Sequence, residues 1–345
     1  MSKKNIVIVG GGAAGVGAAK ALSKSLDSSK YQLILINPLP YRVWLVATLR
    51  LVVTKDEALK KDILLPYDKI FAKGKGKFVE GTVASIDATK DASSVTLESG
   101  EKIDYHALVL AQGAKWVGPP AFPGTTTGVD EHINTLNTQL TNAKNIVLVG
   151  GGAIGIELAG EIKDQWPNKK VTIVHGDKLL LNAAYPDKAR KYAAENVRAR
   201  GVELVLDDYV DFAETAVVEG VTTRSGKKLS ADLVIQTRGP RANTDFVAAS
   251  LGEDTLSKTG LIRVRPTLQL IGHDNIFAGG DVIDWNEQKQ SAKAAVHGAL
   301  VGANVQALLN NGTLKPYKGS FEAIIITNGK ASGSLTDSIC LLTST

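Results

Sequence analysis

Short apolar runs that close on glycine recur along this chain, and the segments after them have helical rather than alternating spacing. Two such places set the frame. Residues 5–9 (NIVIV) run into Gly10, Gly11 and Gly12 and then into AAGVGAAKAL; residues 145–149 (NIVLV) run into Gly150, Gly151 and Gly152 and then into AIGIELAGE. Fully apolar runs of this length read as buried parallel strands, each delivering the chain into a helix. Residues 31–36, 103–110, 171–174, 202–206, 231–237 and the apolar part of 275–285 extend the strand series, and 220–223 add a shorter one. Residues 77–83 and 94–97 alternate and predict a small antiparallel meander. Residues 290–309 predict a helix and 320–327 a strand, while 331–345, rich in Ser and Thr without pattern, read as a frayed tail. Strands alternating with helices predict an α/β layered fold.

Both glycine runs have the spacing G-x-G-x-x-G in the required context of strand before and helix after: Gly10, Gly12, Gly15 and again Gly150, Gly152, Gly155. The first glycine makes the turn, the second lets backbone approach a pyrophosphate, and the third lets helix pack on strand. The helix N-terminus then faces the anion. Two complete fingerprints about one domain apart predict two nucleotides on one polypeptide. With 345 residues, roughly two or three domains are expected, and the Pro/Gly-rich residues 118–124 mark a boundary.

The ends of the second strands carry the ribose chemistry. Asn37 stands where an acid is usual; its amide oxygen can accept a ribose hydroxyl, without charge. His175 ends the corresponding later strand and is followed by Gly176, Asp177 and Lys178. An acid there favours NADH and neutral or basic groups tolerate NADPH, so the choice stays open. Glu157, on the first turn after the second fingerprint, either faces a nicotinamide or complements the helix dipole. Ala111-Gln112-Gly113 forms a small-x-Gly turn after a buried strand. Asp281, in Gly-Gly-Asp at a strand end, is placed to accept a polyol hydroxyl or, as the weaker reading, to cap the next helix. Arg42 and Arg50 can each answer a phosphate, with a solvated surface the stronger reading for Arg42. His297, alone on its helix, reads as a satisfied structural histidine.

Composition removes alternatives. The single cysteine, Cys340, excludes an intrachain disulfide and any C-x-x-C redox pair. A net charge of +5, spread along the chain, argues against specific nucleic-acid binding and leaves open a mild attraction to acidic membranes. With the first strand starting near residue 5 and Ser2 after the methionine, neither a signal peptide nor N-myristoylation is expected. Residues 43–53 are too short to span a bilayer and contain Arg50. A cytoplasmic location is the expectation. No metal-ligand spacing and no G-x-S-x-G elbow appears.

Together these pieces resemble the two-dinucleotide-domain flavoprotein oxidoreductases of the pyridine nucleotide-disulfide superfamily. The missing redox disulfide, residues 45–53 (LVATLRLVV) and GGDVIDWNEQKQSAKAAVHG are similar to the apoptosis-inducing-factor-like branch, of AMID or ferroptosis-suppressor type. The resemblance covers about residues 5–330. It implies two Rossmann-like, three-layer ββα domains, the second inserted in the first: residues 1–122 with 242–312 for FAD, 123–241 for NADH or NADPH, and a short C-terminal segment, 313–345. It implies that Gly10, Gly12, Ala13, Ala14 and Gly15 hold the FAD pyrophosphate, with Asn37, the backbone at Val83, Ala111 and Gly113 around the nucleotide. Arg50 would approach the cofactor, and Asp281 with Val282 the ribitol. Gly150, Gly152, Gly155, Glu157, His175 and Gly239 fall on the nicotinamide side, Lys289 beside the isoalloxazine, and Gln288 and Gln290 along a quinone site. The activity implied is hydride transfer from NAD(P)H to flavin and onward to an acceptor, a quinone first. The rivals are a ferredoxin- or rubredoxin-type acceptor on the same fold, a slow redox-responsive flavoprotein acting in cell-death signalling through protein or DNA association, and a nucleotide-binding protein without useful catalysis. Monomer or homodimer, and peripheral contact with mitochondrial or other membranes, both stay open. Two departures stand out: Asn37 replaces the usual acid, and the match fades after about Gly329, as in a form with a shortened C-terminus.

Overall fold

The computed structural model describes residues 2–89, 93–212, 214–320, 323–329 and 338–342. Its helices are α1 (Ala13–Ser25), α2 (Thr48–Thr54), α3 (Glu57–Ile63), α4 (Thr126–Asn142), α5 (Ala153–Gln165), α6 (Asp187–Ala199), α7 (Asp245–Leu251) and α8 (Ser291–Leu309). The chain divides into two compact units. One comprises Met1–Val43, Leu64–Lys115 and Arg241–Ser320; the other comprises Trp44–Ile63, Trp116–Pro240 and Phe321–Thr345. The chain thus leaves the first unit three times, for residues 44–63, for the long insertion 116–240 and for 321–345, and residues 44–63 fall outside the FAD-domain boundaries that the resemblance implies.

The first unit is built on a parallel sheet of five strands in the order Ile276–Ala278, Ala107–Leu110, Lys4–Val9, Tyr31–Asn37, Lys77–Glu80. Its middle strand is covered on both sides, with Ile6, Val7 and Ile8 fully buried, which is why the sequence reads as continuous rather than alternating apolar. Phe277 is the largest fully buried side chain among the described residues, and removing such a ring from water contributes roughly 1.5–3 kcal/mol. One face carries α1 and α8, pressed together along a seam of small residues. A methyl group on Gly298 would run into the Ala14 carbonyl, and one on Gly302 into Ala21 and Ala18. These glycines cost helix propensity and are retained because only a bare backbone permits this approach. The third layer is the antiparallel meander Val83–Ala88, Ser93–Leu97, Lys102–Asp104.

Residues 77–83 do not form the single meander strand that their alternation predicts. Lys77–Glu80 joins the edge of the parallel sheet, with Asn37 opposite Glu80, and the meander begins only at Val83. Gly81 sits between them and donates its N–H to the Asn37 carbonyl. Alternation shows that a strand is half-buried, and cannot say which sheet takes it.

The second unit repeats the design. Its sheet runs Val202–Leu206, Lys170–His175, Asn145–Val149, Leu233–Gln236, all parallel, with Ala216–Val217 antiparallel at the edge. Thr125 caps α4 by accepting the Gly128 N–H. Against α4 and α5 packs α2, whose last turn is closed by Asn137, donating to the Val52 and Val53 carbonyls at 3.1 and 2.8 Å. Residues 323–327 form the expected strand, while 321–322 lie outside the described residues. The frayed reading of 331–345 is corrected at Ser338–Leu342, which pairs antiparallel with Ala323–Thr327; 331–337 and 343–345 lie outside the described residues. Ser and Thr in that stretch hid a strand whose apolar part, Ile339 to Leu342, is only four residues long. Among the described residues no helix is long and apolar enough to cross a membrane.

Candidate dinucleotide-binding sites

In the first unit the strand Lys4–Val9 turns at Gly10, whose φ of +97° lies in the region open to glycine. A side chain there would also strike the backbone of Ala111 and Gln112, and one on Gly15 would strike the Gly10 carbonyl. Gly12 faces open space and holds the cap position of α1 without any side-chain cap. The first-turn amides at Ala13 and Ala14 are therefore left to an anion or water. The loop itself is pinned. The Gly11 N–H donates to Asn37 Oδ1 at 2.9 Å, and the Tyr67 hydroxyl donates to the Gly11 carbonyl at 2.9 Å. Asn37 Nδ2 meanwhile donates to the Leu39 carbonyl at 3.0 Å. An aspartate could not make that last bond, so the amide at position 37 has a local structural reason.

Gln112 and Asp281, both in this unit, have no side-chain hydrogen-bond partner among the described residues. Both amide atoms of Gln112 are buried and unsatisfied, in the turn that backs onto Gly10. No hydrogen-bond donor of the described residues reaches the Asp281 carboxylate, and burial raises its pKa, opposed by the Lys289 charge. An amide left dry and unpaired costs about 1–3 kcal/mol. Polar orphans beside an open, amide-lined glycine turn fit a nucleotide carrying phosphates and hydroxyls, as FAD does. The sequence pattern points to the small neighbours Ala111 and Gly113 and gives no signal for Gln112 between them. Lys289 Nζ donates to the Ile283 carbonyl at 2.7 Å and to that of Trp285 at 3.3 Å, and burial lowers its pKa. Val282 is fully buried, Gln290 precedes α8 in extended conformation with Gln288 two residues earlier, and Val83 opens the meander, buried.

The second unit repeats the turn. Gly150 has φ +127°, a side chain on Gly155 would strike the Gly150 carbonyl, and Gly152 caps α5 in open space. Here the Gly151 N–H donates to His175 Nδ1 at 3.1 Å, and Nε2 lies 3.3 Å from the Leu181 carbonyl. That pairing fixes the neutral tautomer with its proton on Nε2, and burial lowers the His175 pKa. Asp177 turns to Arg190, whose Nη2 lies 2.6 Å from Oδ2, while Arg190 Nε binds the Leu180 carbonyl at 2.9 Å. Gly239 lies beyond the strand Leu233–Gln236, with nothing crowding its Cα. These open glycine turns fit the phosphates of a nicotinamide nucleotide.

On α5, Glu157 Oε1 accepts from the Thr327 N–H at 3.1 Å and its hydroxyl at 3.3 Å. Burial raises its pKa to about 7, against the pull of those two bonds. One turn on, the buried Glu161 is bridged by Arg50 through Nε at 3.1 Å and Nη2 at 2.8 Å. The guanidinium of Arg50 is thus committed to a carboxylate of its own unit. The helical spacing of Glu157 and Glu161 was visible in the sequence; their partners, 170 and 111 residues away, were not. Among the described residues no group of His, Cys, Asp and Glu is arranged to hold a metal ion.

Comparison with known proteins agrees with this geometry. The family model described as pyridine nucleotide-disulphide oxidoreductase matches residues 4–299. The FAD-dependent oxidoreductase FVFD30 of Flammulina velutipes is 44% identical over 82% of this chain and 88% of its own. Ferroptosis suppressor protein 1 of Xenopus tropicalis is 30% identical over 95% of this chain and 87% of its own. Among solved structures, that of reduced Bacillus anthracis CoADR-RHD superimposes with a TM-score of 0.75 at 21% identity, over 95% of this chain and 60% of that one; this supports the fold alone. With one cysteine, the chain carries the family's two nucleotide folds without an internal redox disulfide. By sequence and by the geometry of both turns, it belongs to the pyridine nucleotide-disulphide oxidoreductase family, a family of FAD- and NAD(P)H-binding oxidoreductases, and to its apoptosis-inducing-factor-like group.

Proposed function

We propose that this protein takes hydride from NADH or NADPH and passes the electrons to a quinone through FAD. The observation that carries the reading is the pair of open glycine turns in a chain with a single cysteine. Two nucleotides are provided for, and no disulfide can relay electrons within the chain. FAD, when bound, supplies the redox chemistry, accepting a hydride and releasing electrons to an acceptor.

The chain's own residues bind, orient and tune. Amides of Gly12, Ala13 and Ala14, freed by Gly10 and Gly15, hold the FAD pyrophosphate. Asp281, with Val282 beside it, accepts ribitol hydroxyls, and Gln112 finds its missing partners on the same nucleotide. Asn37 acts through the loop, and backbone at Val83, Ala111 and Gly113 borders the nucleotide. Lys289 keeps a positive charge beside the flavin, and Gln288 and Gln290 line the acceptor's approach. On the second fold Gly150, Gly152 and Gly155 take the nicotinamide nucleotide's phosphates, with His175 and Gly239 at its rim. Glu157, held by Thr327 and titrating near neutrality, orients the nicotinamide. Arg50 serves by fixing Glu161 one turn from Glu157.

The test is an absorbance spectrum of the purified protein followed by anaerobic addition of NADH or NADPH and then a soluble ubiquinone. Flavin bands that bleach with nucleotide and return with quinone are expected. Bleaching without return on quinone would remove the acceptor, and no flavin uptake would remove the reading.

A further inference from the structure

The loop between Gly279 and α8 is latched by a buried polar chain that the redox reading does not use. His297, on α8, receives the Gly280 N–H on Nδ1 at 3.1 Å. Its Nε2 lies 2.8 Å from Glu287 Oε1, and both side chains are almost wholly buried, at 2% and 4% exposure. The other oxygen of Glu287 accepts the Tyr317 hydroxyl at 2.9 Å, and Ser320 Oγ lies 2.8 Å from that hydroxyl. The Tyr317 ring meets the His297 imidazole edge-on at 4.5 Å and Trp285 at 5.2 Å.

Donor and acceptor roles in this chain follow from one another. An imidazole that accepts on Nδ1 carries its proton on Nε2, the nitrogen that lies beside the Glu287 carboxylate. A carboxylate can only accept, so Tyr317 donates to it, and Ser320 then donates to Tyr317. Gly280 has φ +86°, and a side chain there would press on Ala14 of α1, the first turn of the fingerprint helix. The residue after it is Asp281. The backbone that His297 holds therefore sets the position of the Asp281 carboxylate against the fingerprint turn.

We infer that His297 is a positioning residue for FAD, fixing the Gly280–Asp281 turn through its neutral Nδ1 while Glu287, held by Tyr317, lies against its Nε2. The inference rests on the FAD reading above. It carries a pH dependence with a definite sign. Protonated His297 has no lone pair for Gly280, so the turn loosens on the acid side. The charged groups acting on the ring are Glu287, which favours protonation, and Lys289 and Lys293, which oppose it together with burial. Burial is the largest influence and lowers the His297 pKa, so the loosening lies below the ordinary histidine range.

Two substitutions separate this role from simple packing. In His297→Asn the amide oxygen replaces Nδ1 as acceptor for Gly280; in His297→Gln the amide nitrogen reaches for Glu287 and the acceptor is lost. The measurement is the FAD dissociation constant of the apoprotein, by flavin fluorescence, from alkaline to acid pH, with the apoprotein unfolding temperature alongside. His297→Asn should keep FAD affinity within about threefold at alkaline pH and lose the acid-side weakening. His297→Gln should weaken FAD about tenfold or more with a similar unfolding temperature. Tyr317→Phe, which keeps the ring, should shift the acid-side weakening to higher pH, because a carboxylate with one donor fewer draws a proton to His297 more strongly. Equal affinities for the Asn and Gln variants, or an acid limb unchanged by Asn and by Phe, would overturn the inference while wild type still binds FAD. A wild-type protein that takes up no FAD would overturn the functional reading itself.

Discussion

The two glycine turns are built alike and pinned differently. In both, the first glycine is in the left-handed region, the third is closed off by the carbonyl of the first, and the second faces open space. In both, the middle N–H is taken by the side chain that ends the next strand. In the first unit that side chain is Asn37, which does not titrate and is tied at its other end to Leu39. In the second it is His175, which accepts only while neutral. The same backbone thus carries a fixed pin at one nucleotide and a titratable one at the other. The phosphate cradle is set by glycine geometry, and its sensitivity to pH by one acceptor outside it.

The strongest way to separate the turns is to block each in turn. Gly15→Val and Gly155→Val each drive a side chain into the preceding glycine's carbonyl, and each should weaken its own nucleotide at least about a hundredfold, more than 2.7 kcal/mol. Gly15→Val should purify without flavin; Gly155→Val should keep the flavin spectrum and no longer bleach with NADH or NADPH. Loss of both nucleotides from either variant would break the assignment of one nucleotide to each fold.

A smaller effect concerns Glu157, the carboxylate raised to about 7 from 4.5. A raised carboxyl holds its proton more tightly in the folded state, so its stabilising contribution is complete below pH 4.5 and is lost as pH rises through about 7. The loss is at most about 3 kcal/mol. Glu157→Gln keeps an acceptor for Thr327 and has no proton to lose. Urea midpoints of wild type and variant should therefore diverge with rising pH, the variant becoming the more stable. Parallel curves would show that Glu157 is not held protonated by its surroundings.

The smallest effects test the pins themselves. Asn37→Asp puts a carboxylate oxygen where Nδ2 donates to Leu39, and should destabilise the first unit by about 1–3 kcal/mol. His175→Asn keeps an acceptor and removes the titration. Wild type should lose pyridine-nucleotide affinity severalfold, about three to ten times, as pH falls below the ordinary histidine range, because burial keeps His175 neutral until then. The variant should hold a flat profile, and matching profiles would remove the distinction between the pins.

The legible parts of this protein were those encoded over short spans. A strand that closes on G-x-G-x-x-G announces its own turn, because the glycines are demanded by backbone contacts within six residues, and both turns were placed correctly. The strand at residues 338–342 and the fate of residues 77–80 were not legible, since period-two alternation names no partner. Nor were the partners of Glu157, Glu161 and His297. Each sits on a helix whose spacing was clear, and each meets a residue from another segment or loop: Thr327, Arg50, Glu287.

The amino-acid sequence by itself determined the two nucleotide folds, their order and the absence of an internal disulfide relay, because those rest on local backbone geometry and on composition. Tertiary structure decided which side chains pin the turns, which carboxylates are buried or paired, and which polar groups, Gln112 and Asp281 among them, are left for a ligand to satisfy. The physical reason is that hydrogen-bond satisfaction and desolvation depend on what the fold brings within about 3 Å, across separations along the chain that no local pattern records.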